Sequence, residues 1–112
     1  MDKQFDLAEF LKRTNADGAI IINSGGELIE AENVDYGNNF AAMMGVMTKM
    51  AEDFTDDIKI GKLRQVVFKA TEGVFVLDKF DEDFIVGIYS KDLAKAGMIM
   101  MLMDNLTKKK KA

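Results

Sequence analysis

Cysteine, histidine, proline and tryptophan are all missing from this 112-residue chain. Without cysteine and histidine, the common zinc ligand sets are excluded, and so are Cys-His and Ser-His nucleophile pairs. With no cysteine, nothing in the sequence reports on redox compartment. Without proline, no segment is barred from forming a helix. A long apolar run is absent too: none approaches the ~20 residues of a membrane-spanning helix. Positive charge is not in excess. A net charge of -4 and an isoelectric point near 4.8 argue against a dedicated nucleic-acid binder, which carries a basic face.

Phosphate-loop chemistry is missing as well. Such a loop requires G-x-x-x-x-G-K-[ST], so that backbone amides cradle the phosphates. "TDDIKIGKL" contains Gly61-Lys62, but Asp56 stands where the first glycine belongs and Leu63 where Ser or Thr belongs. "SGG" at residues 24–26 precedes a strand pattern, which makes it a turn. The acidic groups Glu52, Asp53, Asp56, Asp57 and Asp81, Glu82, Asp83 lack the EF-hand alternation, central glycine and terminal glutamate. They read as solvated loops. The expectation is therefore no catalytic residue, no metal and no cofactor.

What remains is a patterned chain long enough for one compact domain over residues 1–112. Leu7, Phe10, Leu11 and Thr14 recur at helical spacing and predict a first helix over 3–14, with Phe5 off its stripe. Asn15 and Gly18 in "NADG" are its stop residues. That charged, amphipathic start is not a secretory signal, which predicts a cytoplasmic protein. "AIIIN" is an apolar run of the kind found in strands buried on both faces. "NSGG" turns it into the alternating "ELIEAE". Asp35 and Asn38 are the best candidate N-caps for a methionine-rich helix running to about Phe54. "KLRQVVFKAT", "VFVLDKF" and "FIVGIYS" follow as three strands joined by "EG" and "DED" turns. In the first of these, Leu63, Gln65 and Val67 share one side and Val66 and Phe68 the other. A last helix begins near Ser90 or Lys91, with Ser90 as its cap.

The order α-β-β-α-β-β-β-α has its most apolar strands first, fourth and fifth, and its more polar ones second and third. Hairpins join strands 1–2, 3–4 and 4–5. One antiparallel order satisfies all of this: 2-1-5-4-3, in a three-layer α/β/α sandwich of the α+β class.

The sequence carriers "DGAIIINSGGELIEAE", "FAAMMGVMTKMAEDF" and "GKLRQVVFKATEGVFVLDKFDEDFIVGIY", in that order and closed by a helix, resemble the roadblock (dynein light chain) family of profilin-like folds. The likeness is to a prokaryotic-type, small single-domain member and covers about residues 16–106. The N-terminal helix and the Lys-rich tail, residues 107–112, lie outside the shared core. The resemblance implies homodimers or heterodimers with a paralogue, and partnership with small Ras-like GTPases or motor complexes. Some prokaryotic members are GTPase-activating proteins and others are scaffolds. Known members have no catalytic residues of the usual kind.

Two readings of the methionine helix follow. Phe40, Met43, Met44, Met47, Met50, Ala51 and Phe54 form one broad stripe, expected to cover the sheet. The other side carries Ala41, Gly45 and Thr48, with Ala42 and Val46 beside them. Small residues allow a second backbone to approach, and Gly45 costs a helix interior about 1 kcal/mol relative to Ala. This side is expected to form a helix-to-helix dimer contact, joined by the open edge strand through Lys62, Arg64, Val66 and Phe68; the alternative is a small-residue face that is merely tolerated. The alternative is that Lys62, Arg64 and Lys69 simply blunt that edge. A GTPase platform is expected around Ala42 and Val46, rimmed by Lys49, Glu52 and Asp53, with a simply solvated rim as the alternative. In the last helix, the apolar stretch from Met98 to Met103 is expected to meet the sheet on one face and Leu7, Phe10 and Leu11 on the other; the alternative is a docking surface for another protein. Lys108–Lys111 read as a solvated helix end, with contact to an anionic surface as the alternative.

The leading functional expectation is a non-catalytic dimeric adaptor that binds a small Ras-like GTPase and biases its nucleotide cycle. The alternatives are a structural scaffold subunit of a motor or signalling assembly, and a small-ligand sensor.

Overall fold

The structure, a computed structural model, describes the backbone of residues 6–111 and the side chains of residues 6–105. The proposed start of the first helix at residue 3, Phe5 and the side chains of Lys108–Lys111 lie outside the described residues. Helix α1 spans Leu7–Thr14, and strands β1 and β2 span Gly18–Asn23 and Leu28–Glu32. Helix α2 spans Gly37–Asp57, and strands β3, β4 and β5 span Gln65–Ala70, Gly73–Lys79 and Phe84–Ser90. A 3-10 turn, Leu93–Lys95, leads into helix α3, Ala96–Lys111. The five strands form one sheet in the expected order β2-β1-β5-β4-β3, every neighbouring pair antiparallel.

Local chemistry sets the ends of these elements. Asp6 caps α1: its Oδ1 accepts the Glu9 backbone N–H at 3.3 Å. Asn15 ends α1 in the left-handed conformation, φ 53°. In the β1–β2 turn, Asn23 Oδ1 accepts the N–H groups of Gly25 and Glu27 at 3.0 and 2.9 Å. The Asp81 carboxylate does the same in the β4–β5 turn for Asp83 and Phe84, at 2.8 and 2.9 Å.

Both N-cap expectations for the longer helices are corrected. Neither Asp35 nor Asn38 caps α2. The residue before the helix is Tyr36, left-handed at φ 57° and without a side-chain cap. Ser90 belongs to β5, and the cap is Asp92, whose carboxylate accepts the Ala94 N–H at 3.0 Å. Helix α2 also continues one turn past Phe54, to Asp57.

The two faces of the sheet are packed differently. On one, α1 and α3 bury Leu7, Phe10, Ile99 and Met103 against Ile21, Val76, Val86 and Ile88. This realises in part the expected packing of the last helix: Ile99 and Met103 are buried in the cluster with Leu7 and Phe10, but Met98 and Met101 of the same apolar stretch are exposed. Each fully buried side chain of the cluster stabilises the fold by roughly 1.5–3 kcal/mol. On the other face, α2 contributes Ala41 and Met44 against Ile20, Ile22, Leu77 and Ile85. There a glycine sets the distance between layers. A Cβ on Gly45 would lie 2.8 Å from Gly26 Cα, closer than real Cβ atoms approach, so only glycine lets α2 reach the β1–β2 turn.

Candidate interaction surface

On a helix at about 100° per residue, α2 divides into three sectors. Ala41, Met44 and Thr48 face the sheet and are buried. The Thr48 hydroxyl satisfies itself by donating to the Met44 carbonyl at 2.7 Å. A second sector holds Phe40, Met43, Met47, Met50 and Phe54. Met47 is half-buried, while Phe40, Met43, Met50 and Phe54 are 46, 56, 67 and 62% exposed. The third sector points away from the sheet and carries Ala42, Val46, Lys49 and Asp53, all exposed.

This arrangement corrects the expected orientation of α2. The broad methionine stripe is not the core face: of its seven residues only Met44 is buried, with Met47 and Ala51 half-buried. Ala41 and Thr48 are sealed against the chain's own sheet, and Gly45 against its own β1–β2 turn. A second chain cannot reach Ala41 or Thr48. Small residues face inward because the helix sits close to the sheet, which forces the bulky ones outward. Glu52 leaves the expected partner rim too, because it forms a half-buried ion pair with Lys79 of β4. Lys49 and Asp53 pair with each other at 3.3 Å in the open.

Phe40, Met43, Met47, Met50 and Phe54 are spaced 3, 4, 3 and 4 residues apart. That is the a/d spacing with which one helix meets another. The apolar surface continues beyond the helix through Ile58 and Ile60, both exposed. Exposed apolar surface on this scale marks an interaction site more often than it marks a solvated face. Beside it runs β3, at the edge of the sheet. Val66 is half-buried in the chain's own α2-side core. Phe68 is partly exposed, its ring 5.9 Å from that of Phe75. Lys62 and Arg64 lie exposed just before the strand, and Arg64 reaches Asp104 of α3 at 3.1 Å. On the α3 side, Gln65 Nε2 donates to Asp78 at 3.0 Å.

Between the N-terminal half of α2 and the sheet lies an open-sided cavity of about 620 Å³. Its walls include Met43, Met47, Phe68 and Phe75, its floor Ile20 and Gly87. No contiguous stretch of the sequence points to it, because its lining is gathered from four strands, α2 and the connection before α2. The one available signal was the run of aromatic residues at Phe68, Phe75 and Tyr89. Among the described residues, no cluster of three or more acidic side chains could hold a metal ion, and no helix is long and apolar enough to cross a membrane.

The ends of α2 are unusual in charge. Its first turn has no acidic residue and its last turn no basic one. Asp53, Asp56 and Asp57 instead crowd the C-terminal end, where the helix dipole disfavours negative charge.

No family model matches the sequence. A curated relative, an uncharacterized protein of Aquifex aeolicus (strain VF5), is 18% identical over 105 residues. The match takes in 89% of this chain, and the chain spans 65% of that relative's length. Among solved structures, Myxococcus xanthus MglB superposes with a TM-score of 0.80 at 10% identity, covering 89% of this chain and 84% of the other. A Roadblock/LC7 domain from Streptomyces avermitilis gives 0.70 at 15% identity, covering 83% and 80%. An MglB with tetrameric arrangement gives 0.68 at 11% identity, covering 93% and 86%. At these identities the likeness is one of fold. With its sheet order and helix placement, this chain has the roadblock fold, a small profilin-like α+β architecture.

Proposed function

We propose that this protein is a non-catalytic, self-associating adaptor that binds a small Ras-like GTPase and biases its nucleotide cycle. One observation carries the self-association: the exposed heptad-spaced seam Phe40, Met43, Met47, Met50 and Phe54, lying beside the open edge strand β3. A second copy related by a two-fold axis presents the same seam, so the surface is complementary to itself. The charges at the ends of α2 favour an antiparallel pair. There the acidic C-terminal end of one helix lies beside the positive N-terminal end of the other. The tetrameric arrangement described for an MglB is in keeping with this reading.

In such a pair the outward sector, Ala42, Val46, Lys49 and Asp53, comes from both copies and forms a platform across the axis. An apolar centre with a charged rim suits a reversible protein interface. The resemblance to the roadblock family implies a small GTPase as the partner. The adaptor would act by holding one nucleotide state more tightly than the other. The missing phosphate loop, histidine and cysteine support a role without catalysis.

Sedimentation of the wild-type chain at about 20 µM, in the micromolar affinity range, tests the first half. A dimer is expected, and a monomer overturns the reading. Calorimetric titration of a GTPase from the same host in both nucleotide states tests the second half. Unequal affinities are expected, lost in Val46→Asp; equal affinities refute the bias.

A further inference from the structure

We propose that the outer surface of the α1/α3 layer docks on an anionic lipid bilayer. Charge on this chain is divided by position. The two helical segments of that layer, residues 6–15 and 91–111, hold eight Lys and Arg against four Asp and Glu. Residues 16–90, which form the sheet and α2, hold six against fourteen. One layer is therefore basic on a chain whose net charge is -4. Part of the opposing charge, Asp53, Asp56 and Asp57, belongs to α2 across the sheet. The molecule measures 32 Å along its shortest axis, several times the ~8 Å Debye length at physiological salt, so charge on the far side does not cancel charge on the near one.

The basic residues stand at both ends of the layer. Lys12 and Arg13 are exposed on the last turn of α1. Lys95 Nζ donates to the Asn15 carbonyl at 2.8 Å, and the Lys91 backbone N–H donates to Asp17 at 2.6 Å, which holds the start of α3 beside the end of α1. Helix α3 then runs ~24 Å at 1.5 Å per residue, so Lys108–Lys111 stand at the opposite end. Between these ends α3 turns Met98 and Met101 outward, opposite the buried Ala96, Ile99 and Met103, and Leu93 just before the helix is exposed as well. Single apolar side chains flanked by Lys and Arg are the make-up of a helix that lies in a membrane interface. Three of the layer's four acids are already engaged: Asp6 and Asp92 cap the ends of helices, and Asp104 pairs with Arg64. A protein partner would call for one apolar centre with a polar rim; charge spread over the whole layer suits a fluid anionic surface. The proposal goes beyond the adaptor reading and uses none of its residues. The seam and platform on α2 lie across the sheet and stay free while the layer is docked.

The test is co-sedimentation of the full chain with vesicles of phosphatidylcholine, alone or with about 30% phosphatidylglycerol to supply negative surface charge, at low salt. Wild type should pellet with the anionic vesicles and not with the neutral ones, and added salt should release it. Lys12→Gln with Arg13→Gln should weaken binding roughly ten- to thirtyfold, at about fivefold for each charge held near an anionic surface. Lys49→Gln with Lys59→Gln removes as much charge on and just after α2, and should bind as wild type does. Circular dichroism should be unchanged in both. Because the chain has no tryptophan, Met101→Trp reports insertion without background. Its emission should shift to the blue with anionic vesicles and stay unshifted with soluble polyglutamate. Phe54→Glu should keep the preference for anionic vesicles, whatever sedimentation shows of its assembly. No pelleting with anionic vesicles, equal losses in the two folded double variants, or an unshifted Met101→Trp would each overturn the proposal. A blue shift with polyglutamate equal to that with vesicles would overturn it too, and assign the face to an acidic protein.

Discussion

The two faces of the sheet make an instructive pair. Among the described residues, the face under α1 and α3 buries twelve apolar residues in one cluster, while the face under α2 buries six. The first is finished within one chain. The second leaves a cavity at one end of the helix and an apolar seam along its flank. A monomer gains stability from surface removed from water, so an unfinished face is available for something else to cover. The first face holds the fold together, and the second is where function is to be sought.

Core truncation on the finished face should have the largest effect. Ile99→Ala removes a fully buried side chain from close-packed surroundings and should cost about 4 kcal/mol in urea unfolding. Met44→Ala, equally buried but beside the existing cavity, should cost nearer 2 kcal/mol, because its surroundings can relax into open space. Equal costs would mean that the two faces are equally well packed. Next comes the contact between α2 and the β1–β2 turn. Gly45→Ala gains helix propensity yet collides with Gly26, and should destabilise by about 1–3 kcal/mol. A more stable variant would show that α2 does not depend on that approach. Smaller again is the effect of Phe54→Glu on the folded monomer, within about 0.5 kcal/mol by thermal denaturation at high dilution. The same substitution should abolish self-association, and that contrast separates seam from core. The smallest expected effect is that of salt. Raising ionic strength should weaken the pair by about 0.3 kcal/mol per helix end, if acidic ends lie beside positive ones.

Much of the fold was legible in the sequence. Apolar runs at "AIIIN" and "FIVGIYS" marked the central strands, and the mixed patterns of β2 and β3 marked the edges. The contact of α3 with α1 followed from apolar residues on all sides of α3. The orientation of α2 departs from the hydrophobic pattern for a physical reason. Hydrophobicity ranks Phe and Met above Ala, Gly and Thr, but burial here is decided by how closely the helix approaches the sheet. Gly45 against Gly26 sets that distance, and only small residues and Met44 fit beneath. The 3-4-3-4 spacing of the exposed seam was present in the sequence and is the signal that distinguishes a helix-pairing stripe from a wider core stripe. The N-terminus of α2 was not legible, because Tyr36 takes a left-handed conformation normally reserved for glycine or asparagine. The cavity belongs to the same class of feature, since it exists only once strands and helix are assembled.

The central claim is that the unfinished face is completed by a second copy with its α2 antiparallel. Because the chain has no cysteine, single-cysteine variants report this without background. Met47 is the midpoint of the seam, and an antiparallel pair brings Phe40 of one copy to Phe54 of the other. On mild oxidation, Met47→Cys should form a disulfide-linked dimer, Phe40→Cys alone should not, and Phe40→Cys mixed with Phe54→Cys should. Self-linking of Phe40→Cys and of Phe54→Cys would make the helices parallel, and no linking at any of the three positions would show that the seam is not shared between copies.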